Sequence, residues 1–153
     1  MPRMIFLASL VAAVVGGTAT HAADAGSAMT SASNFAATLA KARAAIESKK
    51  LTVFAEIDHS RAAEKAGLSL PPTTLLIFGN PKGGTPLMAC DQAIGIDLPL
   101  KALIWQDAAG VVRIKFSDPA SIAASHGLGD CAKAAVDAMS KAVKSIAAEA
   151  VAG

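Results

Sequence analysis

The sequence LLIFGNPKGGTPLM, at positions 75–88, combines residue types that could hold an anion. It predicts a buried strand, a glycine-containing loop, and a helix that begins at Thr85-Pro86. Gly83 and Gly84 would let a ligand approach the backbone, Lys82 adds a cation, and the helix N-terminus offers N–H groups. Phosphate, sulfate or a carboxylate would suit such a loop. The candidate ligand-binding residues are Asn80, Lys82, Gly83, Gly84 and Thr85.

The same segment also has a purely structural interpretation, as a strand-to-helix turn that needs two glycines and a cap. A nucleotide-binding P-loop is excluded, because the lysine of that motif follows the second glycine and directly precedes Ser or Thr. Here Lys82 comes before both glycines. The ligand site and the structural turn both remain open, and they differ in whether the charge of Lys82 matters.

Three further side chains are candidate catalytic residues: His59, His126 and Cys131. His59 follows Asp58 at a predicted strand end, where it could act as a general base or metal ligand, or be a solvated residue of a helix that Asp58 caps. His126 lies at a predicted helix C-terminus, which stabilises its cationic form. Cys131 is predicted in the first turn of the last helix, where N–H groups would lower the pKa of a thiol.

The two cysteines, Cys90 and Cys131, fit two states. An exported protein can join them in one disulfide, and two thiols on helix faces can instead be buried as small apolar groups. No His or Cys pair has the close spacing of a zinc motif, and no dinucleotide fingerprint or Ser–His–Asp order occurs. The sequence therefore predicts no metal site and no cofactor, and it favours a binding module over an enzyme.

The N-terminus predicts export. Arg3 is followed by the apolar run Met4–Val15 and by a small residue at Ala22, as in a secretory signal peptide over residues 1–22. A retained membrane anchor is the alternative, but the run is shorter than the roughly 20 residues that span a bilayer. After cleavage we expect no stable membrane insertion, a flexible segment over 23–33, and a periplasmic or secreted location.

Charge and aromatic content bear on the partners. The formal net charge is +2, the chain has one Trp and no Tyr, and no basic cluster occurs. Nucleic-acid binding normally needs a basic surface or aromatic residues that stack on bases. We therefore expect no nucleic-acid partner.

The periodicity of apolar residues predicts a single α+β domain over residues 34–151. Asn34 caps a helix to about Lys49, and strands are predicted at 51–58, 73–78, 102–106 and 112–116, the last two joined by a hairpin turn. The strand at 73–78 lacks alternation and is predicted to be covered on both faces. Asp118 and Asp130 are predicted to cap the last two helices. The expected architecture has two layers, a mixed or antiparallel sheet of about four strands packed with helices.

Several strings of this sequence resemble the family called domain of unknown function 302, over roughly residues 51–128. The resemblance implies a compact α+β domain that is often a dimer, has no assigned biochemical role and brings no catalytic residues. Members with a signal sequence are exported. The matching strings are LLIFGNPKGGTPLM at 75–88, IDLPLKALIW at 96–105, IDH at 57–59, DP at 118–119 and HGL at 126–128.

Three functional hypotheses follow. The first is a non-enzymatic domain that binds a small anionic or apolar ligand near Lys82–Thr85. The second is a small periplasmic hydrolase or thiol-dependent enzyme that uses His59, His126 or Cys131. The third is a structural homodimer, in which the loop of segment 75–88 only shapes the fold. Trp105, on a predicted strand, is expected in the core or at a dimer interface.

Overall fold

The computed structural model describes residues 27–153, so the predicted signal peptide lies outside the described residues. Within these residues the chain forms five strands, five α-helices and one 3-10 helix, Gln92–Ile96. The strands are β1 (Met29–Thr30), β2 (Thr52–Asp58), β3 (Thr73–Gly79), β4 (Leu100–Gln106) and β5 (Val112–Phe116). The helices are α1 (Phe35–Ser48), α2 (His59–Lys65), α3 (Pro81–Cys90), α4 (Pro119–Ser125) and α5 (Lys133–Val151).

The five strands form one antiparallel sheet in the order β1-β5-β4-β3-β2. Leu75 of β3 pairs with Leu103 of β4, and Ile104 of β4 pairs with Ile114 of β5. The predicted α+β class and two-layer packing are confirmed. The sheet has one strand more than expected, because β1 adds to the free edge of β5.

Helices α1 and α5 cover one face of the sheet and enclose the main core. Side chains alternate along β3: Leu76 and Phe78 are fully buried, whereas Leu75 and Ile77 are half-buried on the opposite face. The prediction that β3 is covered on both faces is therefore wrong. An uninterrupted apolar run can lie in an antiparallel sheet whose second face is only partly covered.

The start of the domain also differs from expectation. Residues 23–33 were expected to be flexible, but Met29 and Thr30 pair with β5, and Ser31 N donates to Val112 O at 2.9 Å. Ser31 is buried, with its hydroxyl 2.7 Å from that of Thr38. Two strand residues are too few to show a period in the sequence.

Capping residues explain most helix boundaries. Asn34, Asp58 and Asp118 each accept an N–H from the first turn of the helix that follows, as predicted. Two starts were predicted wrongly. Helix α3 begins at Pro81 and not at Thr85, and α5 follows Ala132 without a side-chain cap, so Asp130 is not its N-cap.

The turn that ends helix α1 places Lys50 in a left-handed backbone conformation, which is unfavourable for a residue other than glycine. Lys50 has φ of 58°, and the following Leu51 N–H donates to Ile46 O at 3.3 Å, a helix-ending pattern that usually has glycine at the first position. Helix α2 ends in the same way at Gly67, with φ of 73°. We expect Lys50→Gly to raise the free energy of unfolding by about 1 kcal/mol, because glycine adopts positive φ without steric cost.

Urea denaturation would measure this change, and the reciprocal variant Gly67→Ala is its control. Gly67→Ala should lower the free energy of unfolding by about 1 kcal/mol, although an added Cβ meets no atom within 4 Å. A Lys50→Gly protein no more stable than the parent would contradict the interpretation.

Candidate functional site

A cavity of about 300 Å³ lies between β2, the start of α3, the chain before β4, and α5. Its volume is at the lower end of the range of small-molecule pockets. The lining is dominated by apolar side chains and glycines and includes no charged residue. The lining residues are Leu51, Phe54, Gly79, Asn80, Pro81, Gly83, Gly84, Thr85, Met88, Gly95, Leu98, Pro99, Leu100, Met139, Ala142 and Val143.

The two glycines of the motif lie inside α3, in its first turns, and neither has positive φ. The expected glycine loop is therefore a helix. A methyl group placed on Gly83 would lie 3.5 Å from Met139 Cγ, and one on Gly84 would lie 3.7 Å from Leu98 Cδ1. Both are ordinary contacts, so a side chain fits at each position but would occupy space in the cavity.

The N–H groups at the start of α3 are already paired within the chain. Asn80 caps the helix: its Oδ1 accepts from Lys82 N at 2.9 Å, and its backbone oxygen accepts from Gly83 N at 2.9 Å and Gly84 N at 3.2 Å. Pro81 has no N–H to offer. An anion at this helix terminus would therefore compete with Asn80 for these N–H groups.

The candidate site residues divide accordingly. Asn80, Gly83, Gly84 and Thr85 line the cavity, whereas Lys82 is exposed and is not part of the lining. Ligand binding by these residues stays a prediction. What the geometry changes is the chemistry of the ligand that would fit, from an anion towards an apolar group.

His126 lies between two carboxylates. Its Nε2 is 2.8 Å from Asp97 Oδ2 and its Nδ1 is 3.2 Å from Asp91 Oδ2. Both nitrogens can donate only in the imidazolium form. The Asp97 carboxylate raises the pKa of His126 above its ordinary value of 6.5, against an opposing effect of burial, and Asp91 raises it further.

This arrangement is unfavourable for general-base catalysis by His126. A general base needs an unprotonated nitrogen that can reach the substrate, and both nitrogens of His126 face carboxylates. His59 is exposed at the first position of α2 and makes no side-chain hydrogen bond among residues 27–153. The structure therefore does not bring His59 and His126 together in a hydrogen-bonded set.

Cys131 is bonded to Cys90, so neither sulfur is a thiol in this structure. Cys131 precedes α5 and does not lie in its first turn. The reactive-thiol hypothesis therefore applies only to reduced protein.

The sequence matches the family described as "Domain of unknown function DUF302" over residues 27–146, which is most of the chain. The chain belongs to the DUF302 family. The crystal structure titled uncharacterized conserved protein DUF302 from Bacillus stearothermophilus has a similar fold, with a TM-score of 0.73 at 14% sequence identity. That similarity covers 81% of this chain and 96% of the other.

Longer relatives of this DUF302 domain come from Brucella. A protein of Brucella suis biovar 1 (strain 1330) named fluoride-specific ion channel FluC 1 is 45% identical over 104 residues, which make up 68% of this chain and 41% of that protein. A protein of Brucella melitensis biotype 1 (strain ATCC 23456 / CCUG 17765 / NCTC 10094 / 16M) named fluoride-specific ion channel FluC 2 is 45% identical over the same length, 38% of that protein. The chain thus spans about two fifths of the relatives it matches.

Two further properties of the DUF302 domain concern metals and membranes. Within residues 27–153, no group of three or more His, Cys, Asp or Glu side chains is arranged to hold a metal ion. In the same part of the chain, no helix is long and apolar enough to cross a membrane.

Because the neighbouring carboxylates raise the pKa of His126, we expect the stability of the DUF302 domain to depend on pH. Since the folded-state pKa lies above the unfolded value, the stabilisation is complete below about pH 6.5 and is lost as the pH rises through the folded-state pKa. We expect His126→Gln to destabilise the protein more at about pH 5.5 than at about pH 9.

Urea denaturation of both proteins at the two pH values would measure this difference. His59→Gln is the matched control, because its exposed side chain makes no hydrogen bond with the described residues, and its effect should be small at either pH. A His126→Gln effect that is equal at both pH values would contradict the imidazolium assignment.

Proposed function

We propose that this DUF302 domain binds a small, uncharged, apolar ligand in the cavity beside α3. The observation that carries the proposal is the lining itself: it includes Phe54, Met88, Leu98 and Met139 and has no charged side chain. Burying the apolar surface of a ligand there is favourable by about 25 cal/mol per Å². The hydroxyl of Thr85, which makes no hydrogen bond within residues 27–153, offers a polar contact that would orient a ligand.

The uncharged fluorescent dye 1-aminoanthracene is a suitable probe, because its emission rises on transfer from water to an apolar site. Ala142→Leu enlarges a lining residue of α5 and should abolish the rise. Ala148→Leu makes the same change at an exposed position of the same helix and should leave it intact. Equal dye binding by the two variants would overturn the cavity as the binding site.

Octanol and octanoate as competitors separate an apolar from an anionic ligand. Both have the same chain length, so a site without charge should prefer the alcohol. Lys82→Ala should change neither competition, since Lys82 does not line the cavity. A Lys82→Ala protein that selectively loses octanoate would restore the anion hypothesis.

We further propose that the protein works outside the cytoplasm. The Cys90–Cys131 disulfide supports this location, because disulfides persist mainly in oxidising compartments. The first residues of the chain, which have the pattern of a signal peptide, also support it. Mass spectrometry of the protein from its host would test this: loss of residues 1–22 is expected, and an intact N-terminus with two thiols would oppose it.

Self-association is a second candidate function. It is supported by partly exposed apolar side chains on the face of the sheet opposite α1 and α5. Cross-strand neighbours Ile57, Leu75 and Leu103 form an apolar stripe on that face, and each is at least partly exposed. We expect Leu103→Lys to shift a dimer to monomer in sedimentation velocity, whereas Leu68→Lys, at a residue 68% exposed away from the sheet, should not. A monomeric parent protein would eliminate this candidate.

The Brucella relatives support a third candidate, in which the domain acts beside a fluoride-specific ion channel. In those proteins the similar segment is about two fifths of a chain with that name. Fluoride efflux from vesicles that contain such a channel would test it. A change in efflux when the domain is added is expected, and unchanged efflux would count against it.

A further inference from the structure

The Cys90–Cys131 disulfide links the end of α3 to the start of α5, two helices that pack on each other and both line the cavity. Cys90 is the last residue of α3, and Cys131 lies two residues before α5 begins. Helix α3 contributes Gly83, Gly84 and Met88 to the lining, and α5 contributes Met139, Ala142 and Val143. A change in the separation of these two helices would therefore alter the cavity.

Few other contacts attach α3 to the domain. It packs on α5 and on the 3-10 helix, and it has no strand as a major packing partner. Its one fully buried side chain, Leu87, belongs to a small cluster with Ile94, Ala123, Leu128 and Val136, separate from the main core. A small cluster contributes limited stability, so α3 can open locally at a lower cost in free energy than the main core.

His126 supplies the second link on the same side. Its contacts with Asp91 and Asp97 attach both ends of the 3-10 helix to the end of α4. This 3-10 helix contains the lining residue Gly95. The disulfide and the imidazolium therefore restrain one continuous wall of the cavity, residues 81–97.

The disulfide is not enclosed in the core, because Cys131 is exposed and Cys90 is half-buried. Exposed disulfides are typically the labile or regulatory ones. A dithiol reductant would supply two electrons and two protons. The S–S bond would break to give two thiols, and the reductant would become a disulfide.

We propose that the Cys90–Cys131 disulfide is a redox switch for ligand retention: oxidation holds the cavity wall in place, and reduction by a dithiol releases it. The inference rests on the proposed binding of an apolar ligand. In reduced protein, the small cluster around Leu87 and the His126 contacts remain to hold the wall. The domain then exchanges between closed and open forms, and apparent affinity falls with the fraction that is closed.

The test compares 1-aminoanthracene binding by oxidised and dithiol-reduced protein, with circular dichroism to monitor the fold. We expect the Kd to rise about fivefold or more on reduction while the far-ultraviolet signal is kept, since the closed fraction scales the affinity. The double variant Cys90→Ser/Cys131→Ser should bind like reduced protein and ignore the reductant. Adding His126→Gln to it should weaken binding further.

A Phe116→Leu protein with its disulfide intact is the control for general destabilisation, because Phe116 is buried in the main core and does not line the cavity. It should keep the oxidised affinity. Equal dye affinity of oxidised and reduced protein would overturn the switch and leave the binding proposal standing. Loss of the helical signal on reduction would also overturn it, since the bond would then hold the whole domain. Absence of dye binding by the oxidised protein would instead refute the proposed function.

Discussion

Removal of both cysteines, as Cys90→Ser/Cys131→Ser, should lower the free energy of unfolding by about 4 kcal/mol. The disulfide closes a loop with a sequence separation of 41 residues, and a longer closed loop removes more conformational entropy from the unfolded chain. This is a large part of the total stability of a typical domain, about 5–15 kcal/mol.

Urea denaturation would measure the loss, with the parent protein in excess dithiol as an independent comparison. The reduced parent and the double variant should have similar midpoints. A midpoint of the double variant close to that of the oxidised parent would show that the bond contributes little, for instance because the reduced chain keeps structure in its unfolded state.

Phe78→Ala should lower the free energy of unfolding by about 3–5 kcal/mol. Phe78 is fully buried on the interior strand β3, and its ring packs edge-on against Phe116 with centroids 6.3 Å apart. Truncation removes the burial of the ring and leaves a cavity in the main core.

Phe54→Ala is the matched control for this variant. Phe54 lies on the edge strand β2, is 53% exposed and lines the ligand cavity. The Phe54→Ala substitution should lower the free energy of unfolding by less than about 1 kcal/mol, but it should weaken dye binding. Similar stability losses for the two variants would contradict the assignment of the core.

Local signals account for the parts of the fold that the sequence predicted. Asn34, Asp58 and Asp118 act within their own helix turn, so neighbouring residues are enough to identify them. Helix α3 was placed wrongly because the segment contains two plausible starts. Asn80-Pro81 and Thr85-Pro86 both have a good cap followed by proline, and the glycines favoured the second. In the folded protein Asn80 caps the helix and Pro86 lies inside it.

The candidate site could not be predicted because its parts are distant in sequence. The cavity brings Phe54 of β2 together with Val143 of α5, and His126 meets carboxylates 29 and 35 residues away. No local pattern encodes such convergence. The pairing of Cys90 with Cys131 was one of two states left open, since spacing alone does not give the Cα separation.

The two ends of the described domain meet at one corner. Ala32 N donates to Val151 O at 3.1 Å, and Lys41 Nζ donates to Ala152 O at 2.6 Å. A neighbouring polypeptide fused before residue 29 or after residue 153 would emerge from nearly the same place. The domain is therefore suited to insertion into a surface loop of a host protein. It is also suited to circular permutation, because a short linker would be enough to join its two ends.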